Sequence, residues 1–319
     1  MSEDTNARSS LTSRKLPRMQ LSSGAADSLT PPPPAPSSQL TPAERATKRF
    51  AVEGNAVITG GAGVLARTTA RALLEHGASG LALLDLASSH SDPISTAAIS
   101  ALARDFPTAT ILCLEVDITN AAQIDEAIEK GTSQLPGRSI NMLLCFAGVV
   151  GCTHALDMSA DEWRRTLDVN TTGSFLCAQA AARQALRMIP SSPKNPTSGT
   201  GGTILFTSSI SAHRVNYPQP QIAYNVSKAG LQALRAGLAA EWARYGIRVN
   251  SISPGYMDTI LNEGEGLEEA RQVWADRNPM GRMGVPEEVA GVCVMLCTKG
   301  AGGYVNGADI VIDGGATVF

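Results

Sequence analysis

Short apolar runs alternate with longer helical patterns along most of this chain, and that alternation restricts its fold more than any other feature. The apolar runs lie at 55–59, 81–84, 110–116, 140–146, 203–207, 247–252 and 308–312. Helical patterns lie between them at 64–76, 94–104, 121–134, 161–188, 223–244 and 286–297. Strands that are apolar on both faces must be covered on both faces, and intervening helices supply the covers. The predicted fold is α/β, a doubly wound parallel sheet in a single domain. At 43% hydrophobic residues in 319, the chain can fill such a core. Residues 1–48 stand apart. They are rich in Ser, Thr and Pro, including Pro31–Pro34, and bury too little to offset chain entropy. We expect a disordered tail there and a folded domain over 49–319.

Two stretches break the alternation. Ser191–Gly201 reads as a polar surface loop. The stretch 253–284 holds a helix-like piece at 267–277 and begins just past a strand's carboxyl end, where ligands sit in such sheets. A substrate lid is the expectation.

Bulk properties exclude several function classes. Net charge is −3 with both signs scattered, so there is no electrostatic case for nucleic acid or an anionic membrane. No sustained apolar block is long enough to span a bilayer. The first residues carry Glu3 and Asp4 and no apolar run, which argues against a secretory signal. A cytoplasmic protein is expected. No CxxC pair occurs, and Cys293 and Cys297, one helical turn apart, read as core residues. No metal site is expected.

The run Ile58-Thr59-Gly60-Gly61-Ala62-Gly63-Val64-Leu65-Ala66 follows a strand and opens a helix. That context raises a glycine motif above chance. Gly60 permits the tight turn, Gly63 lets a diphosphate approach the backbone, and Ala66 allows close helix–strand packing. The helix start, with Leu65, offers N–H groups and a positive dipole end. This is the Rossmann type of dinucleotide site. Asp85 ends the second strand, where an acidic group accepts hydrogen bonds from ribose hydroxyls and repels a 2′-phosphate. No Arg or Lys follows closely, so NAD is favoured, with NADP possible. Asp117-Ile118 and Ala147-Gly148 end the third and fourth strands at the same sheet edge and are expected to flank the adenosine.

Tyr224 and Lys228 are four residues apart on the first turn of a helix, so they share one face. Thr207-Ser208-Ser209 ends the strand just upstream. A phenol beside an ammonium loses its proton more easily, and oxidation of an alcohol needs such a base. Bringing a phenol's pKa to neutrality requires about 4 kcal/mol of differential stabilisation. With the glycine loop, these residues describe nicotinamide-dependent hydride transfer.

From about residue 50 to the end, the chain resembles the short-chain dehydrogenase/reductase family. The resemblance rests on the glycine loop, Asn170 in Leu167-Asp168-Val169-Asn170, Ser209, Tyr224 with Lys228, Pro254-Gly255 with Thr259, and Asp313-Gly314-Gly315. It implies that Tyr224 is the catalytic acid or base and that Lys228 binds the nicotinamide ribose and lowers the tyrosine pKa. It implies further that Ser209 orients the substrate oxygen, that Asn170 holds a water linking Lys228 to solvent, and that Pro254 and Thr259 lie at the nicotinamide. Three departures stand out. Val64 and Ala66 replace glycines of the family's commonest loop pattern. Cys145-Phe146 replaces a polar pair before Ala147-Gly148. Ser208 and Ser211 compete with Ser209, which is chosen because polyol-active relatives place their serine at the same distance before the tyrosine.

The strings Val215–Gln221, Arg248–Thr259 and Asn278–Arg282 look similar to fungal mannitol, sorbitol and arabinitol dehydrogenases. His213, Asn216, Gln219 and Gln221 are candidate contacts for a hydroxylated substrate. A polyol/ketose oxidoreductase is the leading expectation. A ketoreductase for an acyl or lipophilic carbonyl and a non-catalytic NAD(P)-binding sensor or scaffold stay open. Small residues on the helices from 161 and 223, and the resemblance, imply a homodimer or homotetramer.

Overall fold

The computed structural model describes residues 15–25, 28–34, 37–187, 201–259, 262 and 264–319. Seven strands form one parallel sheet: β1 (Asn55–Thr59), β2 (Gly80–Asp85), β3 (Thr110–Glu115), β4 (Met142–Cys145), β5 (Gly202–Thr207), β6 (Ile247–Pro254) and β7 (Asp309–Ile312). Their order is β3-β2-β1-β4-β5-β6-β7, so the winding reverses between β1 and β4. A crevice opens outside the carboxyl ends of the strands at such a reversal.

The helices are α1 (Pro42–Arg49), α2 (Val64–Glu75), α3 (Ala87–Ser91), α4 (Pro93–Asp105), α5 (Ala121–Gln134), α6 (Ala160–Leu167), α7 (Ser174–Arg187), α8 (Ile222–Trp242), α9 (Glu268–Asp276) and α10 (Pro286–Cys297). Successive strand residues point to opposite faces, and each face has its own core. On one face, Ile58, Leu83, Leu144 and Ile252 meet Leu73 of α2 and Val289 and Cys293 of α10. On the other, Val57, Leu84, Leu143 and Phe206 meet Ile124 of α5, Ala178 of α7 and Leu231 of α8. This double cover explains the uninterrupted apolar strands. Among the described residues, no helix is long and apolar enough to cross a membrane.

Two elements differ from expectation. The single helix predicted over 161–188 is interrupted. Asp168–Gly173 winds as a π-helix between α6 and α7. Gly173 lies so close to the chain after β3 that a Cβ would come within 2.9 Å of the Ile118 carbonyl oxygen, and the Ser174 hydroxyl donates to the Asn170 carbonyl at 2.8 Å. Such bulges often mark functional sites. The second difference is α1, within the stretch read as unstructured. Thr41 and Glu44 form a reciprocal capping box and Pro42 takes the first helical position. The carbonyl of Arg49 then accepts the Ala301 N–H at 2.9 Å. Local capping acts where average composition argued for disorder. The surface loop read over Ser191–Gly201 falls, except for Gly201, outside the described residues.

Leu144 is fully buried in β4, beside the reversal. Leu144→Ala is expected to lower stability by about 2–5 kcal/mol in urea denaturation. A loss below about 1 kcal/mol would contradict this packing.

Candidate active site

The site begins with the turn after β1. Gly60 has φ +66°, and a Cβ there would lie 2.7 Å from the Ala147 nitrogen. Both the backbone angle and the close approach to the chain after β4 require glycine. Gly63 starts α2 with no side-chain cap, and a Cβ there would meet only the Gly60 carbonyl oxygen. No side chain therefore caps the first-turn N–H groups of α2, that of Leu65 among them. Ala66 is buried against the sheet core, so alanine suffices where a glycine was the family expectation.

Asp85 braces this loop. Its Oδ2 accepts the Ala62 N–H at 3.0 Å and its Oδ1 accepts the Leu86 N–H at 2.8 Å. Each oxygen keeps a further lone pair for a ribose hydroxyl. Ser95 of α4 donates to the Ala62 carbonyl at 3.1 Å, a brace the sequence patterns did not suggest. Asp117 uses Oδ1 to bind the N–H and hydroxyl of Thr119 at 2.9 and 2.7 Å. Ile118 is buried beneath Gly173. Cys145 and Phe146, at the departure from the family's polar pair, turn into the two cores. Ala147 follows, with its backbone against Gly60. A Cβ on Gly148 would lie 3.2 Å from Asn170 Oδ1 and 3.5 Å from Lys228 Nζ, so this glycine sits between the two.

Asn170 is completely buried in the π-helical turn. Its Oδ1 accepts the Val149 N–H at 2.8 Å, and its Nδ2 donates to the Val149 carbonyl at 2.9 Å and to Ser227 Oγ at 3.0 Å. On α8, one turn brings Tyr224 and Lys228 together. Lys228 Nζ donates to the Thr207 carbonyl at the end of β5 at 2.7 Å and lies 5.4 Å from the Tyr224 ring centroid. The three nearby serines separate by partner. Ser208 donates to the Lys228 carbonyl at 3.0 Å, which turns it to the backbone. Ser211 donates its N–H to Ser209 Oγ and accepts from the Ser209 hydroxyl at its own, at 3.1 Å each. Ser209 is the one that acts on the Tyr224 phenol, holding its pKa down against burial.

Pro254 ends β6, and Thr259 lies buried five residues further on. Of the candidate substrate contacts, His213 turns away. Its Nε2 lies 2.9 Å from Asp309 Oδ2 and 3.1 Å from Ser253 Oγ, so it ties β6 to β7. Asn216 and Gln219 both converge on the Tyr256 hydroxyl, at 2.9 and 3.1 Å, while Gln221 reaches Cys152 Sγ at 3.3 Å. Tyr256 itself stacks on Trp274 of α9 at 4.2 Å. Neither aromatic was among the expected site residues. A cavity of about 310 Å³ lined by Tyr256, Met280, Arg282 and Asp313 opens beside this group, but its lining includes none of Ser209, Tyr224 and Lys228.

Residues 60–317 match the family model described as enoyl-(acyl carrier protein) reductase. The galactitol 2-dehydrogenase of Rhizobium johnstonii is 34% identical over 278 residues, covering 85% of this chain and 98% of that protein. The ribulose-forming D-arabinitol 2-dehydrogenase of Candida albicans is 34% identical, covering 83% and 94%. A crystal structure of a short-chain type dehydrogenase/reductase from Mycobacterium marinum matches with TM-score 0.73 and 35% identity, covering 85% of this chain and 98% of that one.

The chain belongs to the short-chain dehydrogenase/reductase family. It is thereby an NAD(P)-dependent oxidoreductase acting on CH–OH groups. The uncapped helix start at Gly63 and the free lone pairs on Asp85 fit the diphosphate and ribose of a dinucleotide.

Burial pushes the Tyr224 phenol of this short-chain dehydrogenase/reductase up to about 12, Ser209 opposes the rise, and Tyr256 adds to it. Burial also pulls the Lys228 ammonium down to about 8. Desolvation disfavours the charged form of each group and is the largest cause of both shifts.

The sign of the stability effect follows. Unfolded lysine titrates near 10.5 and native Lys228 near 8, so between these values only the unfolded chain holds the proton. Stability from this group rises with pH from about 8 upward, until the raised Tyr224 acts oppositely above 10, the ordinary value for tyrosine. Urea denaturation at pH 7.5 and 9.5 is expected to show this gain for the native protein and its absence in Lys228→Met. Equal pH dependence of the two would contradict the assignment.

Proposed function

We propose that this protein reversibly oxidises a polyol to a ketose, with Tyr224, Lys228, Ser209 and Asn170 as its catalytic residues. One observation carries the reading. Four residues from three parts of the chain, on α8, at the end of β5 and in the π-helical turn, meet beside the loop that fits a dinucleotide. Relatives of matching length act, by name, on galactitol and D-arabinitol.

When bound, the nicotinamide takes up or returns the hydride. The residues of the chain manage the proton. Ser209 and Tyr224 hold the substrate oxygen between them, and Tyr224 takes the hydroxyl proton on oxidation and returns it on reduction. Lys228, fixed by the Thr207 carbonyl, holds the nicotinamide ribose and places a positive charge near the developing phenolate. Asn170, clamped by Val149 and Ser227, lines the route by which Lys228 exchanges its proton with solvent. Gly60, Gly63 and Leu65 receive the diphosphate, Asp85 the adenosine ribose, and Asp117, Ile118, Ala147 and Gly148 flank the adenosine. Pro254 and Thr259 bound the nicotinamide. Asp85 favours NAD over NADP, because a 2′-phosphate beside a carboxylate is repelled. The stretch 253–284, with α9, acts as the substrate lid. The protein works in the cytoplasm as a homodimer or homotetramer joined through small residues of α7 and α8.

The family description names an acyl substrate, which favours a second reading as an acyl ketoreductase. Absorbance at the reduced-nicotinamide band, with pentitols, hexitols, ketoses and 3-ketoacyl thioesters, separates the two. Turnover of a polyol or ketose is expected, and turnover of thioesters alone would overturn the polyol reading. Tyr224→Phe is expected to lose about 10²–10⁴-fold in kcat while binding NADH normally in a fluorescence titration. Retained turnover would remove Tyr224 from proton transfer.

A further inference from the structure

Tyr256 sits in a chain of hydrogen bonds whose direction can be worked out without seeing a hydrogen. Asn225, next to Tyr224, points one amide atom at the carbonyls of Ser211 and Arg214, at 2.7 and 3.2 Å. Two carbonyl acceptors make that atom the nitrogen, Nδ2. The same Nδ2 lies 2.9 Å from Asn216, so the Asn216 atom it meets is the oxygen. The other amide atom of Asn216, 2.9 Å from the Tyr256 hydroxyl, is therefore an N–H donor.

A second chain reaches the same oxygen from the lid. The Trp274 indole can only donate, and it donates to Gln219 at 3.2 Å. That contact fixes the Gln219 oxygen, and so its nitrogen is the atom 3.1 Å from the Tyr256 hydroxyl. Both lone pairs of the Tyr256 oxygen are then occupied by N–H donors. What remains is its proton, and no acceptor among the described residues receives it. Ring stacking on Trp274, at 4.2 Å and 6° between planes, stops the phenol from swinging to another partner.

We propose that Tyr256 determines specificity by acting as an obligate hydrogen-bond donor to a substrate oxygen away from the reacting carbon. The proposal rests on the polyol reading and deepens it. The amides of Asn216 and Gln219 do not read the substrate; they fix the donor that does. A site built to donate to a second oxygen disfavours an alcohol that lacks one. Asn225 and Asn216 link Tyr256 to the residue that follows Tyr224, and the Tyr256 phenol is near enough to add to the rise in the Tyr224 pKa.

The test compares D-arabinitol with pentan-2-ol, which has one hydroxyl, for the native protein and Tyr256→Phe. The phenylalanine keeps the ring stack and removes only the donor. Dissociation constants are measured by calorimetry on protein saturated with NADH, so no turnover is needed, and KM and kcat are measured with NAD. Tyr256→Phe is expected to raise Kd and KM for D-arabinitol about five- to tenfold. Its pentan-2-ol affinity and its NADH affinity should change less than about twofold. An equal loss for both alcohols, or an unchanged D-arabinitol affinity, overturns the proposal and leaves the polyol reading standing. Native protein that binds neither D-arabinitol nor another polyol overturns the polyol reading, and with it this one.

Discussion

The bond from the Lys228 ammonium to the Thr207 carbonyl, 2.7 Å long and buried, is the contact on which the active site depends. It fastens the first turn of α8 to the carboxyl end of β5. A charged amine in a dry setting needs a strong acceptor, and the last carbonyl of a strand is one that no neighbouring helix uses. Because Tyr224 lies one turn away on the same helix, fixing the amine also fixes the phenol. Ser209, two residues beyond Thr207, acts on the same phenol and opposes the rise that burial imposes on its pKa. The neighbouring Ser208 hydroxyl bonds back to the Lys228 carbonyl and locks the same junction from the other side.

The sheet reversal brings the other half of the chemistry to this junction. β1 and β4 are neighbours, so the glycine turn after one and Gly148 after the other share a crevice. Gly148 stands between Asn170 and Lys228, where a Cβ would crowd Asn170 Oδ1 at 3.2 Å. Burial has a cost here. It raises Tyr224 and lowers Lys228, both toward their neutral forms. Burial thus makes the phenol a weaker acid and the amine one that gives up its proton readily.

Much of this was legible in the chain. The strands announced themselves because both of their faces are buried, as at Leu81–Leu84 and Met142–Cys145. The Tyr224–Lys228 spacing and the glycine turn each follow from local geometry. What could not be read there depends on contacts distant in sequence. The π-helical turn at Asn170 arises where Gly173 meets Ile118, and nothing in the helix periodicity marks it. His213 had the composition of a substrate contact, but its partner Asp309 is 96 residues away. The direction of the Tyr224 shift depends on burial depth, which a spacing of four residues does not encode. Asn216 and Gln219 were visible as polar residues near the mouth, whereas their common target, Tyr256, required the lid to be in place.

The most direct measurement is a carbon-13 NMR titration of the Lys228 ε-carbon, assigned by its loss in Lys228→Arg. A midpoint near 8 is the result this account predicts, since a desolvated amine beside an uncharged phenol surrenders its proton early. A midpoint at the ordinary lysine value near 10.5 would show a solvated amine, and the buried junction between α8 and β5 would then be wrong.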